Sequence, residues 1–165
     1  MIRLAMAQEE LQCLDLEPSG RLWLRLGGLS AAVDGRVDRV RNLLQQVSSD
    51  VKVETLSGED DAQTWSDARE FRWIPDKHQL VKIPISPAQV VTAEQLLTEA
   101  SFESVRRYSV GGNVLWLAIP ESVGGDEVDQ LCEQLRRSAL ALTGSWSDPR
   151  RGSRQGQVFA DRLLT

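Results

Sequence analysis

The chain has 165 residues, of which 41% are hydrophobic and 26% charged, a balance that excludes a disordered polypeptide and suffices for one domain or two very small ones. Nineteen basic against twenty-four acidic side chains give a net charge of -5, so the chain as a whole repels a polyanion and a nucleic-acid partner is not expected. The uncharged apolar stretches fall far short of the roughly 20 residues that cross a bilayer, which argues against membrane insertion.

Two cysteines, Cys13 and Cys132, are too few for a disulfide framework or a metal-ligand set, and both fall on apolar-looking faces as small hydrophobes. The opening MIRLAMAQEE lacks an apolar run of signal-peptide length, so a cytoplasmic location is expected.

In chain order, LQCLDL (11–16) and RLWLRL (21–26) alternate apolar and polar residues around EPSG, which predicts a hairpin. Ser30 is placed to cap a helix in which Val33, Val37, Val40, Leu44 and Val47 share one face. VKVETL (51–56) reads as a strand, SGEDD as a turn, AQTWSDAREF as a short helix and WIPDKHQ as a loop. LVKIPIS (80–86) reads as a strand, with Pro84 suited to an edge or strand end. SPAQ (86–89) signals a helix start, and Val90, Ala93, Leu96 and Leu97 form the buried side of that helix. FESVRRYSV (102–110) and NVLWLAI (113–119) flank Gly111 and Gly112 as a second hairpin. A last helix opens at Asp126, with Val128, Leu131, Cys132, Leu135, Ala139 and Leu142 on one face.

Helices crossing between strands of one sheet predict an α+β class, a ferredoxin-like α/β sandwich with an antiparallel sheet and helices mainly on one face. The domain is expected over residues 1–143, N-terminal hairpin included. Residues 144–165, rich in Gly, Ser and Arg, read as a C-terminal tail that docks through Trp146 and Phe159 or is partly mobile.

The chain carries neither a Walker phosphate loop nor G-x-G-x-x-G, H-E-x-x-H or C-x-x-C, and His78 is its only histidine, so no metal site is expected. His78 reads as a solvated loop residue, and Glu59, Asp60 and Asp61 as a solvated acidic turn.

Strand alternation selects one less ordinary feature. With Leu22, Leu24, Leu26, Val81, Ile83, Val105, Leu115 and Leu117 directed at the helices, the other side of the sheet receives Trp23, Arg25, Lys82, Arg106, Tyr108 and Trp116. That mixture suits an anionic or planar ligand or another protein surface. Alternatively the tryptophans are covered by the hairpin at 11–16 and the tail, with the cations snorkelling around them.

The runs LWLRLGGLSAAVDGRVDRVRNLL, TWSDAREF and LVKIPISPAQV, in this order, resemble the C-terminal part of FAD-linked oxidases, most closely the FAD-binding (E) subunit of glycolate oxidase, over about residues 20–142. The resemblance implies a cap or substrate domain that closes over a flavin in a 2-hydroxy acid oxidase or dehydrogenase. It further implies that FAD is held by a domain not present in this chain and that no cofactor binds the chain alone. The partners it implies are that FAD-binding domain and a small 2-hydroxy acid such as glycolate. Lys82 and Arg25 are the residues it marks as substrate- or flavin-facing. A stand-alone ferredoxin-like binding or regulatory domain, acting on a protein or small molecule and less readily on RNA, is the alternative.

Overall fold

Alternation of leucines with polar residues in LQCLDL and LWLRL builds β1 (Leu11–Leu16) and β2 (Leu22–Leu26), which pair antiparallel with Leu14 opposite Leu24 and Leu16 opposite Leu22. The structure, a computed structural model, describes residues 10–143. The expected tail at 144–165 and the docking of Trp146 and Phe159 lie outside the described residues.

Helix α1 (Ser30–Val47) lays the buried Val40 and the partly buried Leu43 and Leu44 against Leu14, Leu22, Leu24 and Leu26. The helix begins with Ser30 itself, and Leu29, not Ser30, occupies the N-cap. Arg36 ties α1 back to the hairpin by donating to the Gly27 carbonyl and to both carboxylate oxygens of Glu10. A Cβ at Gly28 would stand 1.8 Å from the Arg36 guanidinium and 2.4 Å from Glu10, so this close approach requires glycine there.

The segment 51–56 is not a strand, which corrects the sequence expectation. Its VKVETL pattern has strand propensity, but no backbone hydrogen bond joins it to a neighbour among the described residues, and propensity without a partner makes no ladder. Helix α2 (Glu59–Arg69) starts within the run read as a turn, because Glu59, Asp60 and Asp61 suit the positive end of a helix.

From β3 onward the elements are β3 (His78–Pro84), a 3-10 turn at Pro87–Gln89, α3 (Val90–Glu99), β4 (Val105–Ser109), β5 (Val114–Pro120), α4 (Gly125–Leu135) and β6 (Leu140–Ala141). The six strands lie in the order β2-β1-β4-β5-β3-β6, every pair antiparallel. The last four strands with α3 and α4 make the split β-α-β repeat of a ferredoxin-like α+β sandwich, and the first hairpin extends its sheet beyond β4. The last helix ends earlier than its apolar pattern predicts. Arg136 adopts a left-handed conformation, and the chain then returns as β6, the short strand beside β3 that the sequence reading omits.

The main core joins Val81, Ile83, Leu115, Leu117 and Ile119 of the sheet to Ala93 and Leu97 of α3 and to Val128, Leu131 and Leu135 of α4. Gln89 couples the two helices. Its Oε1 accepts from the Ser86 backbone N–H and from Arg137, while its Nε2 donates to the Leu135 carbonyl at 2.9 Å. Leu16 packs on this core opposite Tyr108, so α1, α3 and α4 share one face of the sheet. Helix α2 lies across the other. No helix among the described residues is long and apolar enough to cross a membrane.

Candidate functional site

The strand register decides which of the expected residues share the face away from α1, α3 and α4. Arg107 of β4, Trp116 of β5 and Lys82 of β3 are consecutive partners across three strands, and Trp116 alternates with the buried Leu115 and Leu117. Trp23 and Arg25 lie on the same face at the hairpin end, opposite Asp15 and Cys13. Four of the six expected residues, Lys82, Trp116, Trp23 and Arg25, are thus placed as the alternation predicted.

Arg106 and Tyr108 are not. The expectation put Val105 inward, yet Val105 is 39% exposed and Tyr108 is fully buried among the residues that meet α3. A phenol is tolerated there because Glu94 of α3 accepts its hydroxyl at 2.5 Å and also takes Nε and Nη2 of Arg106, at 2.8 and 2.7 Å. Burial raises the Tyr108 phenol far above its ordinary range, and the Glu94 hydrogen bond and charge add to this. Burial also acts to raise the Glu94 carboxyl, but the Arg106 and Tyr108 hydrogen bonds and the Arg106 charge together leave it below the ordinary carboxylate value. This triad holds α3 to the sheet and is remote from the opposite face.

Arg107 takes the place expected of Arg106. Its Nη2 donates to Glu17 at 2.8 Å and its guanidinium carbon stands 5.7 Å from the centre of the Trp73 ring. Glu17 also accepts from Trp23 Nε1 at 2.8 Å. Lys82 Nζ lies 5.3 Å from the centre of the Trp116 ring and has no ion pair among the described residues. The Trp116 ring is met edge-on by Phe71, at 5.0 Å between centroids, which follows α2 and precedes Trp73.

Between this face and α2 lies an open cavity of about 1140 Å³. Its walls are the β1 residues Cys13 and Asp15, Arg25, Trp65 and Ser66 of α2, Phe71, Trp73, Arg107, Ser109 and Trp116, with Val110, Gly111 and Asn113 at the β4–β5 turn. Arg25 is fixed at the wall by Asp61, 2.9 Å away. Asp61 therefore pairs with the sheet instead of lying free in a solvated turn. Burial raises the Asp15 carboxyl, against the opposing pull of a Ser109 hydrogen bond and the Arg107 charge. Burial, reinforced by the Asp15 charge, also raises Cys13, so its thiol stays protonated at neutral pH. Val110, Gly111 and Gly112 all have positive φ, a strained conformation for the β-branched Val110 at the cavity rim.

Sequence reasoning missed Trp65, Trp73, Asp15 and Arg107. Trp65 and Trp73 sit outside the strands from which the face was derived, and the phase that placed Arg106 on that face leaves Arg107 off it. The alternation of Cys13 and Asp15 with Leu14 and Leu16 carried the signal for Asp15. His78 begins β3, with Nδ1 2.9 Å from the Asp76 carbonyl, away from this cavity. Among the described residues no group of three or more His, Cys, Asp and Glu side chains is placed to hold a metal ion. Comparison of the chain with known protein families, curated proteins and solved structures finds no significant match.

Proposed function

We propose that this chain is the C-terminal cap and substrate domain of an FAD-dependent oxidoreductase acting on a 2-hydroxy acid. The observation that supports the reading is the row Arg107–Trp116–Lys82, which sets two cations beside an aromatic ring on the sheet face away from α1, α3 and α4. A cation held over an aromatic ring on a pleated surface offers a fixed charge to a small carboxylate while the rings exclude water.

The residues fit the outer side of a flavin site and not the whole of it. Trp116, Lys82, Trp23 and Arg25 provide aromatic and cationic groups for a planar, partly anionic ring system, but the sequence has no Gly-rich phosphate loop for a pyrophosphate. FAD therefore belongs to a neighbouring domain, and when bound it supplies the hydride acceptor. Lys82 orients the substrate carboxylate, Trp116 shields it from solvent, and Arg107 holds the rim of the site through Glu17.

A second reading, a stand-alone small-molecule-binding domain, is favoured by the cavity under α2, whose walls this chain supplies alone.

The test is to purify the protein with its natural flanking sequence and partners and to record its absorption spectrum. The reading expects the two bands of oxidised flavin in stoichiometric amount. A colourless preparation that takes up no FAD would overturn it in favour of the second reading.

A further inference from the structure

The cavity under α2 has a composition that specifies more than a generic pocket. Trp65, Phe71, Trp73 and Trp116 give it four aromatic side chains, in a volume of about 1140 Å³. Ligand pockets commonly measure about 300–1,000 Å³, so a two-carbon acid would leave most of this space to water. Ring-on-ring contact is the way such walls gain from an occupant, and a planar ring is what they accept.

The polar part of the lining is equally restrictive. Arg25, Arg69 and Arg107 stand against one carboxylate, Asp15. Each arginine is already engaged by one carboxylate outside the lining: Asp61 on Arg25, Glu70 on Arg69 and Glu17 on Arg107. These partners match the three positive charges one for one, which disfavours a phosphate-rich ligand carrying several charges. Donors remain nonetheless. Arg25 and Arg107 each spend only Nη2 on their carboxylate, and a guanidinium has five N–H groups in a fork that matches a second carboxylate.

We propose that this cavity is a binding site for an aromatic monocarboxylate, whose ring lies among Trp65, Phe71, Trp73 and Trp116 and whose carboxylate is taken by the free N–H groups of Arg107 and Arg25. The site is built from this chain's own residues and so holds with or without a flavin-carrying partner.

The experiment titrates the full chain with 3-phenyllactate, with glycolate and with AMP, followed by calorimetry and tryptophan emission. The expected result is saturable binding of 3-phenyllactate with a change in emission, at least tenfold weaker binding of glycolate and AMP, and at least a tenfold loss of 3-phenyllactate affinity in both Trp65→Ala and Arg107→Met. Should Arg107→Met not fold, as judged by circular dichroism, Trp65→Ala in α2 alone decides. Absence of 3-phenyllactate binding, equal binding of the three probes, or binding indifferent to these substitutions would overturn the proposal. Each result is read without flavin, so it is independent of the spectrum that tests the cap-domain reading.

Discussion

Arg107 of β4 and Glu17, just past the end of β1, form an ion pair at 2.8 Å that ties the added hairpin to the ferredoxin-like core. The β1–β4 ladder consists of the single pair Leu16 and Tyr108, so this side-chain contact adds to a short backbone attachment. Arg107 is only 14% exposed, and its removal leaves Glu17 with Trp23 as its remaining donor. Arg107→Ala is expected to cost about 2 kcal/mol, within the range for hydrogen bonds to charged groups, as measured by urea unfolding. Arg107→Lys recovers little, because a point charge cannot both reach Glu17 and stack on Trp73.

The Glu94 triad makes a pH-dependent contribution. Its carboxyl is lower in the folded chain than the ordinary 4.5, so its stabilisation is fully present above that value and is lost as pH falls through the lowered one. Glu94→Gln, which leaves Arg106 without its charge partner, is expected to cost about 3 kcal/mol at neutral pH. Unfolding curves of the two proteins should converge in strong acid.

Asp15 has the opposite sign. Its pKa is raised on folding, so the folded state holds the proton more tightly and stability falls as pH rises from the ordinary 3.8 through the folded value. Asp15→Asn is therefore expected to raise the melting temperature at neutral pH, and the gain should vanish below the ordinary carboxylate range. A melting temperature unchanged or lowered at neutral pH would show that Asp15 is not under this strain.

Val110 has φ of 55° while the residue is 66% exposed, so it bears left-handed strain with little burial in return. Val110→Gly is expected to stabilise the protein by about 0.5–1 kcal/mol in denaturant titration. Gly111, at φ 64°, should respond in reverse, with Gly111→Ala destabilising by a similar amount.

How much of this was legible depended on whether local pattern and tertiary pairing agreed. The leucine alternation of β1 and β2, the Ser86–Gln89 helix start and the β4–β5 hairpin were readable because each satisfies its own backbone locally. VKVETL was misread because a strand exists only through a neighbour, and β6 was missed because two residues carry no period. The face residues Trp116 and Lys82 followed from alternation. Arg106 and Tyr108 did not, because the assumed anchor, Val105, lies at the strand's exposed start, and a buried Tyr–Glu–Arg cluster looks polar in sequence. The cavity could not be read at all, since it depends on α2 crossing a face whose covering no local pattern specifies.

The most direct test of the cap-domain account is anaerobic addition of a 2-hydroxy acid to the natural flavin-containing protein, in the wild type and in Lys82→Met, which keeps a stem of similar length over Trp116. The account predicts bleaching of the oxidised flavin bands in the wild type, with the half-saturating acid concentration raised at least tenfold in Lys82→Met. Flavin that stays oxidised with every 2-hydroxy acid tried, or that bleaches identically in the two proteins, would contradict it.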